Sequence, residues 1–203
     1  MFIRNDKNLS YVRVFHASPD APPVDIYVND NLTFEDLAFK NFTEYVPLEK
    51  GSYKINVYAA GKKDNLVLTQ TLEVPENEVI TVAAAGNLDD LQLVPYIEYN
   101  PKYLAEGESR IRVIHLSPDA PNVDIIIDGE TAFTDVGFLD ATDYLNLPAG
   151  EYKIDVDIAD TKDRVLEVDL DFKNQRVYSI YIVGNPPNLS AIQSLDGSTY
   201  IRY

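Results

Sequence analysis

Cysteine and tryptophan are absent from this 203-residue chain, and histidine occurs only twice. Without cysteine there are no disulfides, no thiolate metal sites and no thiol nucleophile, and the redox state of the compartment is immaterial. No apolar run approaches about 18 residues, so no segment reads as a membrane-spanning helix. Basic residues are scarce: 17 stand against 33 acidic ones, for a net charge of −16. The deficit is shared, with 8 basic and 15 acidic residues in positions 1–100 and 9 and 18 after them. An acidic surface without a basic stripe repels phosphate backbones, which excludes nucleic acid as a partner. It confers solubility and favours loose cation binding. The opening residues 1–8 lack an apolar stretch of signal-peptide length. A surface or spore location and a cytoplasmic one therefore both stay open.

What is present is a sequence stated twice. His16-Ala17-Ser18-Pro19-Asp20-Ala21-Pro22-Pro23-Val24-Asp25 returns 99 positions later as His115-Leu116-Ser117-Pro118-Asp119-Ala120-Pro121-Asn122-Val123-Asp124. The register continues through Phe34/Phe133, Thr43/Thr142, Tyr45/Tyr144 and Tyr53/Tyr152. Solenoid repeats recur every 20–50 residues or so, and this period is that of a whole domain. Hydrophobic content of 45% is ordinary for globular chains. The sequence thus predicts a first domain over 1–99, a linker over 100–108 and a second domain over 109–203.

Short alternating runs bounded by Pro, Gly, Asn and Asp predict antiparallel strands. They fall near 10–16, 24–29, 43–48, 52–59, 66–74, 78–86 and 91–97, with seven counterparts in the second half. The expected fold is all-β: two tandem antiparallel β-sandwiches, immunoglobulin-like or transthyretin-like, with Greek-key connections. The shared pattern Leu-x-x-Gly-x-Tyr, at Leu48–Tyr53 and Leu147–Tyr152, predicts tyrosine corners at Tyr53 and Tyr152, their hydroxyls bonded to upstream backbone.

Several residue groups are candidates for chemistry. In the repeated decapeptide, His16, Ser18, Asp20 and Asp25, with His115, Ser117, Asp119 and Asp124, are either structural or ligand-binding. Alternation puts each histidine at the end of an apolar strand face, so a core-edge imidazole bonded to turn backbone competes with metal ligation and catalysis. Ser, Asp and Pro here are turn formers in their own right. A hydrolase would need Ser18 or Ser117 as nucleophile beside its histidine, yet no nucleophile elbow or oxyanion loop accompanies them. No catalytic set and no cofactor is assigned. Arg13 with Asp25, and Arg112 with Asp124, are expected to pair across adjacent strands. Asp155, Asp157, Asp160 and Asp163 crowd one hairpin as calcium candidates, although the spacing of a calcium loop is missing. Tyr96, Tyr99, Tyr103, Tyr200 and Tyr203 are the rings that core and corner positions leave over, suited to a ligand seam or to packing between domains.

The decapeptide pair, the Leu-x-x-Gly-x-Tyr pattern and the late Gly86-Asn87 and Gly184-Asn185 resemble the domain-of-unknown-function family 4397, as two tandem copies. That resemblance implies a bacterial, commonly surface-associated, all-β sandwich module and brings no catalytic residues, cofactor or substrate. The resulting expectation is a non-catalytic binding or structural module of a bacterial envelope or spore surface. Its partners would be a cell-wall polymer, a polysaccharide or a surface protein, with two weak sites acting together. A calcium-stabilised spacer and a hydrolase are the alternatives.

Overall fold

The computed structural model describes residues 3–4, 8–98 and 104–202. It divides into two units, one of residues 1–98 with 200–203 and one of residues 99–199. Of the residues expected in the second domain, 200–202 thus group with the first unit. Residues 100–103 of the expected linker lie outside the described residues, and Glu108 already opens a strand.

In the first unit, β1 (Ile3–Arg4) precedes β2 (Ser10–His16), β3 (Val24–Val28), β4 (Asn31–Leu37), β5 (Val46–Leu48), β6 (Gly51–Ala59), β7 (Leu66–Val74), β8 (Val79–Ala85) and β9 (Gln92–Ile97). Two four-stranded sheets form, ordered β5-β2-β8-β9 and β4-β3-β6-β7. The second unit repeats them with β10 (Glu108–His115), β11 (Val123–Ile127), β12 (Glu130–Val136), β13 (Leu145–Pro148), β14 (Gly150–Ile158), β15 (Arg164–Phe172), β16 (Val177–Val183) and β17 (Ser190–Leu195). Its sheets are β13-β10-β16-β17 and β12-β11-β14-β15. The last strand, β18 (Ile201–Arg202), pairs parallel with β1. The chain is thus two β-sandwiches, and besides the β1–β18 pair each four-stranded arrangement departs once from the antiparallel expectation: β2 runs parallel to β8, and β10 to β16.

Each core lies between its two sheets. Val12, Val14, Ile26, Ile55, Val57, Ile80 and Val82 fill the first, and Ile111, Val113, Ile125, Ile154, Val156, Ile180 and Ile182 the second. These are the alternate positions that period-2 geometry sends to one face. The central strands β2, β8, β10 and β16 are, however, buried along both faces or nearly so. The Tyr53 hydroxyl donates to the Glu49 carbonyl at 2.8 Å and the Tyr152 hydroxyl to the Pro148 carbonyl at 2.9 Å, each four residues upstream.

β4 and β12 were not among the expected strands. Both close a hairpin whose central residues have positive φ, Asn29 (47°) and Asp30 (66°) in one and Asp128 (49°) and Gly129 (84°) in the other. That is the twist a two-residue hairpin needs. Register shifts opposite Val24–Tyr27 and Val123–Ile126 break the alternation that would have disclosed the outer strands.

Candidate functional site

The histidines and serines of the repeated decapeptide are interior, while its turn, with Asp20, Pro22 and Pro23 in one copy and Asp119, Pro121 and Asn122 in the other, is exposed. His16 is 1% exposed and His115 is fully buried. Their Nε2 atoms lie 3.1 Å from the Pro22 carbonyl and 3.2 Å from the Pro121 carbonyl. A carbonyl can only accept, so both Nε2 atoms carry the proton. In the second unit the Ser117 amide donates to His115 Nδ1 at 3.2 Å, which occupies the other nitrogen of a neutral ring. Burial holds both imidazoles below the ordinary histidine value, and the bond to the proline carbonyl offsets this only in part. The serines are buried as well. Ser117 Oγ donates to the Gly184 carbonyl at 2.5 Å, and Ser18 Oγ to Asp20 Oδ1 at 3.4 Å. Neither hydroxyl is directed at its histidine, so the serine–histidine pairing of the hydrolase reading is not formed. Asp20 and Asp119 are exposed, and Asp20 Oδ1 also accepts from the Leu88 amide at 2.9 Å.

The expected arginine–aspartate pairs do not form either, because β2 and β3 lie in different sheets rather than side by side. Arg13 Nε donates to Thr81 Oγ1 at 2.8 Å, and its Nη2 lies 3.4 Å from Glu98 Oε1. Glu98 also accepts from Thr81 and from the Tyr45 hydroxyl, and the guanidinium lies over the Phe42 and Tyr45 rings. The second unit repeats the plan. Arg112 Nε donates to Ser179 Oγ at 2.8 Å and packs over Tyr144, whose hydroxyl donates to Asp196 at 2.7 Å. Glu98 and Asp196 are buried acids that the sequence reading missed; each stands at the end of its repeat, where an acidic residue reads as surface.

The calcium candidates disperse. Arg164 takes Asp155 Oδ2 through Nη1 at 2.8 Å and Asp157 Oδ1 through Nε at 2.9 Å. Asp160 forms a turn at φ 59°, and the Asp163 amide bonds the Thr161 hydroxyl. Among the described residues no three His, Asp or Glu side chains gather as a metal set. Of the leftover tyrosines, Tyr99, Tyr103 and Tyr203 lie outside the described residues; Tyr96 is buried and Tyr200 packs on Tyr45.

Asp25 and Asp124 act on backbone, and in doing so build a cleft. Asp25 Oδ1 accepts from the Asp36 amide at 2.9 Å and its Oδ2 from the Gly61 amide at 2.8 Å; Asp124 Oδ1 takes the Asp135 amide at 2.9 Å. Residues 33–37 of β4 thereby form one wall of an open cleft of about 480 Å³ whose other wall is residues 41–44. The second wall is strapped to β2: the Lys40 amide bonds the His16 carbonyl, the Thr43 amide the Val14 carbonyl, and the Val14 amide the Thr43 hydroxyl. The second unit carries the same cleft, again about 480 Å³, over residues 132–136 and 140–143. Each position corresponds to one in the first at the repeat interval of 99. Leu139, the counterpart of Lys40, is held at φ 72°, a conformation disfavoured for a branched side chain. Glu35, Asp36 and Glu44 line one cleft and Asp135, Asp140 and Asp143 the other, with no basic residue in either lining.

These features define a class: a duplicated β-sandwich protein whose signature residues support loops and an open, acid-lined cleft in each repeat. The family model described as "Domain of unknown function (DUF4397)" matches residues 10–126 and 109–199, and the chain belongs to that family, its two overlapping matches consistent with a repeated domain. No curated protein matches the sequence. Among solved structures the chain is similar to a family 26 carbohydrate-binding module of Eubacterium rectale Amy13K in complex with maltoheptaose, at 9% identity and a TM-score of 0.31, covering 93% of this chain and 99% of that one. It is also similar to the fimbrial anchor protein Mfa2 of Porphyromonas gingivalis, at 12% identity and a TM-score of 0.25, covering 93% and 98%. At these scores the likeness carries nothing about function.

Proposed function

We propose that this protein is a non-catalytic binding and structural module of a bacterial envelope or spore surface that holds a partner in two equivalent clefts. The observation that carries the reading is the recurrence of one preformed cleft, wall for wall, in both repeats. In both, the decapeptide serves as scaffold, and its serines and histidines are buried away from any substrate. Three carboxylates and no cation in each lining favour a partner that bears positive charge, such as a cell-wall polymer with free amino groups. Two weak sites on one chain gain avidity on a repeating polymer, since the second contact forms at high effective concentration.

Glu44 and Asp143 occupy equivalent exposed positions, and only their backbone carbonyls are engaged, by Thr43 and Thr142. Retention of the wild-type chain on purified cell walls is the test, against Glu44→Lys, Asp143→Lys and the double variant. Each single variant should weaken retention, and the double variant should lower it about a hundredfold or more. A wild-type chain that is not retained, or a double variant retained equally well, would remove the reading.

A further inference from the structure

The two repeats share their clefts but not the outer face of the sheet beside them. In the first unit Tyr27 pairs with Leu32 on one side and Asn56 on the other, while Tyr58 pairs with Asp25 and Leu66. Ile26 and Val57, the neighbours of these tyrosines in sequence, are core residues, so Tyr27 and Tyr58 point outward. Their rings meet edge to face at 5.2 Å. Leu32 and Leu66 are 42% and 50% exposed and flank the pair. A half-buried aromatic and aliphatic band therefore crosses all four strands, a span of about 14 Å at ordinary strand spacing.

The second unit places Thr131, Ile126, Asp157 and Arg164 at the same pairings. There the face is an ion network in which Arg164 binds Asp155 and Asp157 while Lys153 lies 2.8 Å from Glu167. A face maintained only for solubility would have no reason to exchange charges for exposed leucines beside two tyrosines. We infer that the outer face of the first repeat, centred on Tyr27 and Tyr58, is a binding platform for a neutral polysaccharide chain.

The chemistry selects that occupant. Phenol rings set edge to face offer an apolar surface for the C–H faces of sugar rings together with a hydroxyl at each rim. Asn56, buried beneath them, accepts from Thr69 and donates to Asp30, which braces the face rather than adding a free polar group to it. Lys63 lies over Tyr27 and Lys54 sits 3.7 Å from Asp30, so the platform lacks the acidic excess of the clefts. A protein partner would need about 800 Å² per side, far more than a band four side chains long presents. Anionic polymers are opposed by the net charge of −16.

The platform is distinct from the clefts, and its test separates the two. Affinity electrophoresis of the full chain in gels containing amylose, β-glucan or mannan reads binding as retarded migration. Tyr27→Ile and Leu32→Thr each install the residue of the second repeat, so folding should be retained, which a thermal melt checks. The wild type should be retarded by at least one of these polymers, and each variant should need about tenfold more polymer for the same retardation. Glu44→Lys with Asp143→Lys should leave the retardation unchanged even where it abolishes wall retention. Absence of retardation in all three polymers, or folded platform variants that migrate as the wild type does, would overturn the platform and leave the clefts standing.

Discussion

At the scale of single residues, the stability of each repeat turns on buried polar groups that its surface composition conceals. Arg13 and Glu98 are almost wholly removed from water, with side chains 8% and 0% exposed. Removing one member leaves the other its hydrogen bonds but no opposite charge, in a medium where an uncompensated charge is costly. Arg13→Met should therefore cost about 3–5 kcal/mol in urea unfolding. Adding Glu98→Gln should restore part of that loss, since no unpaired charge remains. The two histidines make a second case. Their folded values lie below the ordinary one, so the unfolded chain binds protons that the folded chain refuses. This contribution is complete above about pH 6.5 and is lost as pH falls toward the depressed folded values. Unfolding free energy should decline on acidification from pH 7 to 5, and His16→Gln with His115→Gln should flatten the slope. An unchanged slope in that double variant would show the imidazoles to be uninvolved.

At the scale of elements, the hairpins β3–β4 and β11–β12 bring the motif and the cleft together, and a single carboxylate fixes each. Asp25 receives amides from Asp36, in the cleft wall, and from Gly61, in the next turn. Asp25→Ala should cost about 1–2 kcal/mol and speed hydrogen exchange at Asp36 and Gly61. Wall retention should fall with it, because the cleft wall loses its anchor. Much of this arrangement was legible beforehand. Alternation in Val12–His16 and in Tyr53–Val57 disclosed the core strands, and the 99-residue repeat disclosed the duplication. β4 was not, because in Asn31–Leu37 only Leu37 is buried and the bulges erase the period of two. A signal was present nonetheless: Asp128-Gly129 is among the strongest two-residue hairpin markers, and Asn29-Asp30 is its weaker counterpart. The partners of Arg13 were beyond reach for a different reason. Local alternation identifies a face but not which distant strand covers it, and Glu98 is 85 residues away.

At the scale of the whole molecule, the repeat boundary in the sequence and the boundary between packed units differ by one short strand. The first unit includes residues 200–203, and within it Ile201 is fully buried beside Tyr11 and Val79, with Tyr45 and Tyr200 packed around them. Ile201 therefore completes a small satellite core that the first repeat, taken as residues 1–99, would lack. Trimming a buried isoleucine to alanine leaves a cavity and costs about 2–4 kcal/mol. Ile201→Ala in the full chain should lower the stability of the first unit by that amount and leave the second unchanged. Amide exchange resolves the two: protection at Tyr11 and Val79 should drop, while protection along β10 and β16 should hold. Equal loss in both units would mean that they unfold as one cooperative body. No loss in either would mean that the last strand adds nothing to the core it covers, and the first repeat would then be self-sufficient.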